Sequence, residues 1–172
     1  MSAIDLYARK TPGFEDRLAH TVTVLKEAAA SHSGRIVQST SLGVEDMVLT
    51  DLIARHGLGG AQGIAIATLD TGMLHAETLA LIPRIEQRYG LAVEVFKPVQ
   101  ESVIHFVATN GKDAMYQSLE LRKACCGIRK MEPLARMMAG RSAWVTGLRR
   151  PQQALRSSRL WYIASLPLVA TK

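Results

Sequence analysis

The chain has 172 residues, of which 48% are hydrophobic and 21% are charged. This length and balance predict one globular domain with its own core and argue against a wholly disordered chain. No stretch approaches the roughly 20 apolar residues that a membrane-spanning helix needs, and residues 1–20 show no secretory signal. Two cysteines are too few for a secreted disulfide framework. We therefore expect a cytoplasmic protein with no membrane partner.

The elements predicted from Phe14 onward alternate between helices and strands. Helical spacing of apolar residues predicts a helix over 14–31, and β-branched runs with Gly-rich ends predict the first strands. Strands that alternate with helices favour an α/β fold with a mostly parallel sheet and right-handed crossovers. The predicted strands are 35–40, 63–70, 91–96 and 143–146, and the remaining predicted helices are 44–55, 75–89, 101–110, 117–126 and 129–139.

Two turns between a strand and a helix carry residues suited to binding an anion. In the first turn, 39–46, the small residues Ser39, Ser41 and Gly43 let backbone N–H groups and the helix N-terminus face a ligand. The same residue types also form ordinary helix caps, and the turn lacks the Gly-Lys-Ser/Thr of a Walker A loop. Asp70 and Thr71 end the second strand, where parallel sheets bind ligands, although either side chain could instead cap the next helix.

Cys125 and Cys126 stand side by side among four basic residues. Nearby cations favour the thiolate, which is a nucleophile and a metal ligand. Adjacent cysteines are poorly placed for a disulfide with each other, and the alternative is a pair of reduced, buried thiols. The basic residues are Arg122, Lys123, Arg129 and Lys130.

The formal net charge of +6 comes from the C-terminal third of the chain. Ten Lys or Arg residues and one acid, Glu132, lie between Arg122 and Arg159. Such a segment can bind nucleic acid, a membrane or a small polyanion, or can be a solvated surface. Aromatic residues are only 5% of the chain and do not alternate with the basic ones, so we expect no nucleic-acid partner. Arg149 and Arg150 follow the fourth strand and could clamp a phosphate or sulfate.

Four stretches, taken together and in order, resemble the assimilatory adenylyl-sulfate (APS) and phosphoadenylyl-sulfate (PAPS) reductases. The resemblance covers residues 36–150 and implies a Rossmann-like, adenine nucleotide alpha hydrolase-like fold related to the N-type ATP pyrophosphatases. It implies that the two turns bind adenosine through Ser39, Ser41, Gly43, Leu69, Asp70, Thr71 and Gly72, and that the phosphosulfate is held by Lys130, Arg149 and Arg150. The four stretches are Ser39–Asp46, Leu69–Gly72, Cys125–Lys130 and Thr146–Arg150.

The cysteine pair places the chain in one branch of that family. Members with a double cysteine carry a four-iron, four-sulfur cluster on that pair and a later Cys-x-x-Cys, and they prefer APS. The resemblance thus implies Cys125 and Cys126 as cluster ligands and APS as substrate. It also implies that a cysteine near the C-terminus attacks the sulfate sulfur, after which a thioredoxin-type reductant releases sulfite.

The sequence departs from the family pattern after Arg150. No cysteine follows Cys126, so the second ligand pair and the nucleophile are missing, and no catalytic residue is predicted. Residues 151–172 form an atypical apolar tail, as an early stop or a shifted reading frame would leave. We expect one incomplete reductase domain, inactive alone, whose oligomeric state is open. The alternatives are a PAPS reductase, an adenine-nucleotide-binding remnant, and an ATP pyrophosphatase-type enzyme that would lack its Ser-Gly-Gly-x-Asp-Ser turn and leave the cysteines unexplained.

Overall fold

A computed structural model of the chain describes residues 12–147 and the backbone of residues 162–165. A five-stranded sheet with the strand order β3-β2-β1-β4-β5 forms its centre. The first four strands are parallel to one another, and the edge strand β5 runs antiparallel to β4. The strands are β1 Ile36–Thr40, β2 Ile64–Leu69, β3 Val93–Phe96, β4 Ala143–Thr146 and β5 Tyr162–Ser165.

The helices connect the parallel strands. A 3₁₀ turn, Ala114–Tyr116, precedes α6, and a π-helical segment, Gly127–Met131, joins α6 to α7 without a break. Within residues 12–147, every helix is too short or too polar to span a bilayer. The helices are α1 Phe14–Ser31, α2 Val44–Arg55, α3 Ala76–Leu79, α4 Leu81–Tyr89, α5 Gln100–Asn110, α6 Leu119–Cys126 and α7 Glu132–Met138.

Alternate strand residues pack into two different hydrophobic clusters, because successive side chains of a strand lie on opposite faces. Ile36 of β1 packs with Leu49 and Ile53 of α2 in the larger cluster, whereas Val37 packs with Met137 of α7 in the smaller one. Burial on both faces is expected for parallel strands, whose crossover helices cover the sheet on either side. This burial on both faces explains the runs of apolar residues in the strand sequences.

The strand order creates a topological switch point between β1 and β4. From β1 the chain adds β2 and then β3 on one side, and it later returns to place β4 on the other side of β1. In such open sheets, ligands bind outside the carboxyl ends of the strands where the order reverses. The fold therefore predicts a ligand site beside the loops that follow Thr40 and Thr146.

The predicted α/β architecture with a mostly parallel sheet is confirmed, and α1, α2 and β4 have the predicted bounds. The single helix predicted over 75–89 is wrong, because the structure has two helices that meet at Ala80. Pro83 explains the interruption, since it lacks an N–H and its ring conflicts with the carbonyl four residues earlier, that of Leu79. Strand β5 was not predicted, and it lies within the tail of residues 151–172.

Candidate functional site

A cavity of about 520 Å³ opens at the carboxyl ends of β1, β2 and β4. Its volume is within the range of small-molecule sites, and it lies at the switch point of the sheet. Its lining combines polar residues from the strand ends and loops with apolar residues from β2, β4 and α7. The lining residues are Ser39, Thr40, Ser41, Glu45, Asp46, Thr68, Leu69, Thr71, Leu74, Lys130, Leu134, Met137, Trp144, Thr146 and Gly147.

The Asp46 carboxylate connects the loop after β1 to the loop after β4. One oxygen, Oδ2, accepts hydrogen bonds from the Ser41 backbone N–H at 2.7 Å and from the Ser41 hydroxyl at 2.6 Å. The other, Oδ1, accepts the backbone N–H of Gly147 at 3.0 Å. Hydrogen bonds to a charged acceptor are each stronger than neutral ones, about 1.5–3 kcal/mol. Asp46 thus fixes both loops that border the cavity.

Behind Asp46, a buried polar network fixes α2 against β1. The Gln38 side-chain amide donates to the Asp46 carbonyl at 2.8 Å, and the Thr50 hydroxyl lies 3.0 Å from Gln38 Oε1. Gln38 and Thr50 are both fully buried. Because buried polar groups without partners are costly, this network favours a single position of the helix that carries Asp46.

Leu42 adopts a left-handed backbone conformation, with φ of 63°, in the loop between β1 and α2. This conformation is unfavourable for a bulky side chain. Two contacts hold it: the Leu42 side chain is buried in the larger hydrophobic cluster, and its N–H donates to Thr40 Oγ1 at 3.0 Å. The loop can thus lead from β1 to the N-terminus of α2 at Gly43.

In the second turn, Asp70 and Thr71 shape the loop and do not cap the following helix. Asp70 accepts the Gly72 N–H at 3.0 Å and lies 3.5 Å from the Lys97 ammonium. Thr71 Oγ1 accepts the N–H of Met73 at 3.3 Å. The predicted alternative, in which one of them caps the next helix, is wrong, since α3 begins after His75 with no side-chain cap.

The two basic residues that follow the cysteines lie in different environments. Arg129 Nη1 donates to the Thr71 carbonyl at 2.8 Å and so fixes the π-helical segment to the second turn. Gly72 allows this close approach, because a Cβ there would lie 3.2 Å from Arg129 Nη1. Lys130 is exposed and lines the cavity. Arg129 is therefore a structural contact, and within residues 12–147 Lys130 is the cation that lines the cavity.

Cys125 and Cys126 do not line the cavity, and both are free thiols. Cys125 is buried among Phe106 and Ala114, whereas Cys126 is partly exposed. Among the described residues, no group of three or more His, Cys, Asp or Glu side chains is placed to hold a metal ion. A four-thiolate cluster therefore does not fit the residues present, which supply two thiols.

The structure brings half of the predicted substrate-binding residues together around the cavity: Ser39, Ser41, Leu69, Thr71 and Lys130 line it. Gly43, Asp70 and Gly72 belong to the bordering loops without lining it. Arg149 and Arg150 lie outside the described residues.

Ten of the fifteen lining residues were not among the predicted site residues, and three of these ten, Asp46, Trp144 and Thr146, matter most for the geometry of the cavity. Asp46 is the third residue of α2, where an acidic side chain often reaches back to N–H groups before the helix, so a local signal existed. Trp144 Nε1 donates to Ser39 Oγ at 2.7 Å, and this contact between β4 and β1 has no local signal.

We predict that Gly147→Ala lowers the free energy of unfolding by about 1–3 kcal/mol, the usual cost of overpacking. A Cβ at position 147 would lie 2.3 Å from Asp46 Oδ1, so the carboxylate or the β4 loop must move. Urea denaturation measures the change. The matched control is Gly127→Ala, at a helical position where a Cβ meets no atom within 4 Å, and where alanine should be neutral or stabilising. Equal stabilities of the wild type and Gly147→Ala would contradict the close packing.

Three curated relatives, each described as an adenosine 5′-phosphosulfate reductase, are similar to this chain. The protein of Neisseria meningitidis strain Z2491 is 47% identical over 150 residues, which cover 84% of this chain and 59% of that protein. The Burkholderia cepacia protein is 43% identical over 147 residues, covering 86% and 57%. The Allochromatium vinosum protein is 47% identical over 133 residues, covering 76% and 50%. The chain thus spans little more than half of these relatives.

Two solved structures share the fold. A phosphoadenylyl-sulfate reductase from Candida auris, in a phosphate complex, superposes with a TM-score of 0.58 at 20% identity, over 86% of this chain and 72% of that one. An NH₃-dependent NAD synthetase from Campylobacter jejuni superposes with a TM-score of 0.50 at 14% identity, over 76% and 54%. These likenesses concern the fold alone, and they confirm the predicted adenine nucleotide alpha hydrolase-like fold.

The sequence also matches a family model, that of the phosphoadenosine phosphosulfate reductase domain, over residues 35–163. The match includes both turns, the cysteine pair, β4 and most of the segment after Arg150. The resemblance drawn from four short stretches is therefore confirmed over three quarters of the chain. The chain belongs to the phosphoadenosine phosphosulfate reductase domain family.

Proposed function

We propose that this chain is the nucleotide-binding part of an APS reductase, an oxidoreductase that converts APS to sulfite and AMP with a thioredoxin-type reductant. The observation that carries the proposal is the cavity at the switch point, whose lining includes apolar side chains and the exposed Lys130. The names of the three curated relatives support the same substrate.

The lining of the cavity supplies groups suited to both chemical parts of APS. Leu69, Leu134 and Met137 give apolar walls suited to a planar base, which small-molecule sites commonly enclose in this way. The loop after β1 and the N-terminus of α2 suit the phosphate, because the first N–H groups of a helix lack partners within the helix. Lys130 suits the sulfate. In this proposal, Arg149 and Arg150 add to the charge around the sulfate.

We propose APS rather than PAPS as the substrate because the chain has the cysteine pair. In the family that the sequence resembles, a double cysteine accompanies both the cluster and the preference for APS. This chain supplies two of the four thiolates that a four-iron, four-sulfur cluster needs, so the cluster stays a prediction from resemblance. None of the binding contacts proposed above depends on it.

We further propose that the 172-residue chain, expressed alone, does not reduce APS. Reduction by this family's route requires a thiolate that attacks the sulfate sulfur while AMP departs. Cys125 and Cys126 are the only cysteines of the chain, and neither lines the cavity. Binding without turnover, the adenine-nucleotide-binding alternative, is therefore what we expect of the isolated chain. A cytoplasmic location stays a prediction.

The first test of this function is nucleotide binding measured by calorimetry. We expect saturable binding of AMP and of APS to the wild type. Lys130→Ala should weaken APS binding by about 10- to 100-fold, since a lost hydrogen bond to a charged group costs about 1.5–3 kcal/mol. The matched control is Lys123→Ala, which removes an exposed cation of the same segment that does not line the cavity. Absence of saturable binding to the folded wild type would contradict the proposal.

The second test is sulfite release from APS in the presence of thioredoxin and a reductant, with iron analysis of anaerobically purified protein. We expect no multiple-turnover sulfite production and far fewer than about four irons per chain. Multiple turnover would show that the chain supplies its own nucleophile. Loss of that turnover in Cys126→Ser, with Cys125→Ser as the comparison, would then identify one thiol as that nucleophile.

A further inference from the structure

The hydroxyl of Thr146 is buried without a hydrogen-bond partner. Thr146 is 5% exposed at the carboxyl end of β4, and it lines the cavity. Within the described residues, its Oγ1 is the buried side-chain oxygen or nitrogen atom that lacks a partner. Buried polar groups in folded proteins are nearly always hydrogen-bonded, so an exception at a ligand cavity points to a group supplied by the ligand.

Two other threonines, at the ends of neighbouring strands, have hydroxyls that form hydrogen bonds within the protein and so have a structural role. Thr68 Oγ1 donates to the Thr40 carbonyl at 2.8 Å, and Thr40 Oγ1 accepts the N–H of Leu42 at 3.0 Å. Both hydroxyls therefore hold the sheet and the loop after β1 in place. Thr146, on the strand next to β1, makes no such contact.

The end of β4 cannot easily move to give the Thr146 hydroxyl a partner. The next residue, Gly147, donates its N–H to Asp46, and a Cβ at Gly147 would lie 2.3 Å from the same carboxylate. The backbone beside Thr146 is thus packed tightly against Asp46. The hydroxyl is held at the cavity by the same contact that joins the two loops.

The surroundings of Thr146 indicate which part of a ligand it would meet. Trp144, two residues earlier, lies on the same face of β4 and packs with Leu134 and Met137 in the smaller cluster. Lys130, a cation on the cavity lining, is exposed, whereas Thr146 is buried. A single hydroxyl near apolar walls can orient the less charged end of a ligand.

We propose that the Thr146 hydroxyl forms a hydrogen bond with the nucleoside part of the bound nucleotide, its base or its ribose, and so positions it. This inference rests on the proposed function, because it takes an adenine nucleotide as the ligand. Thr146 is then a residue that contacts the ligand, whereas Asp46 and Gly147 affect ligand binding indirectly, because they position the loops after β1 and β4.

The test compares Thr146→Val, which keeps the shape and removes the hydroxyl, with Thr146→Ser, which keeps the hydroxyl. We expect Thr146→Val to weaken AMP binding about tenfold and Thr146→Ser to stay within about threefold of the wild type. The unliganded thermal midpoint of Thr146→Val should equal or exceed that of the wild type, because no hydrogen bond is lost. A hydroxyl with a purely structural role would instead lower the midpoint and leave AMP binding unchanged.

Thr21→Val is the matched control, since Thr21 is a buried threonine of α1 whose hydroxyl donates to the Arg17 carbonyl at 2.8 Å. It does not line the cavity, so it should lower the thermal midpoint without changing the affinity for AMP. Loss of AMP affinity in Thr21→Val equal to that in Thr146→Val would overturn the assignment.

Adenosine, measured by its displacement of bound AMP, distinguishes the nucleoside from the phosphate. A tenfold penalty of Thr146→Val that persists with adenosine supports the inference. If the wild type binds AMP but the inhibition constant of adenosine, calculated with each protein's own affinity for AMP, is the same for both proteins, or if adenosine displaces AMP from neither, the hydroxyl does not contact the nucleoside and the inference is overturned. If the wild type binds neither AMP nor APS, the proposed function fails and the inference fails with it.

Discussion

The hydrogen bonds of one carboxylate organise the candidate site. Asp46 accepts two donors from Ser41 and one from Gly147, and it is 8% exposed. These contacts join the loops after β1 and β4, which belong to the two strands on either side of the switch point. An open parallel sheet leaves a crevice at such a point, and here the carboxylate sets the distance between the two sides of that crevice.

Other features of the site depend on this link. The left-handed Leu42 lies between Ser41 and Gly43, so the bond from Asp46 to Ser41 helps to hold an unfavourable backbone conformation. On the opposite side, the bond to Gly147 holds the end of β4 and the unpaired hydroxyl of Thr146. Strain and unsatisfied polar groups of this kind persist where the surrounding structure fixes them, commonly at functional sites.

Local sequence patterns predicted most of the fold, and long-range contacts explain most of what they missed. The bounds of α2 and β4 follow from the spacing of apolar and β-branched residues. The bond from Asp46 to Gly147 joins residues 101 positions apart, and that from Arg129 to Thr71 joins residues 58 apart. Periodicity and turn chemistry carry no information about such pairs, so the bond from Asp46 to Gly147 and the role of Thr146 appear only once the strands are placed in order. The interruption at Ala80 had a local cause in Pro83.

We propose that Asp46 forms a nucleotide site by joining these two loops. The most direct measurement is a titration of the ¹⁵N-labelled chain with AMP, followed through backbone amide signals in the wild type and in Asp46→Asn. In the wild type, Ser41 and Gly147 should shift together with one dissociation constant. In Asp46→Asn, whose amide NH₂ replaces an accepting oxygen, the affinity should fall about tenfold or more, as expected for the loss of one charge-assisted hydrogen bond. Unchanged affinity in the variant, or wild-type shifts confined to α1 and α4, would contradict the account.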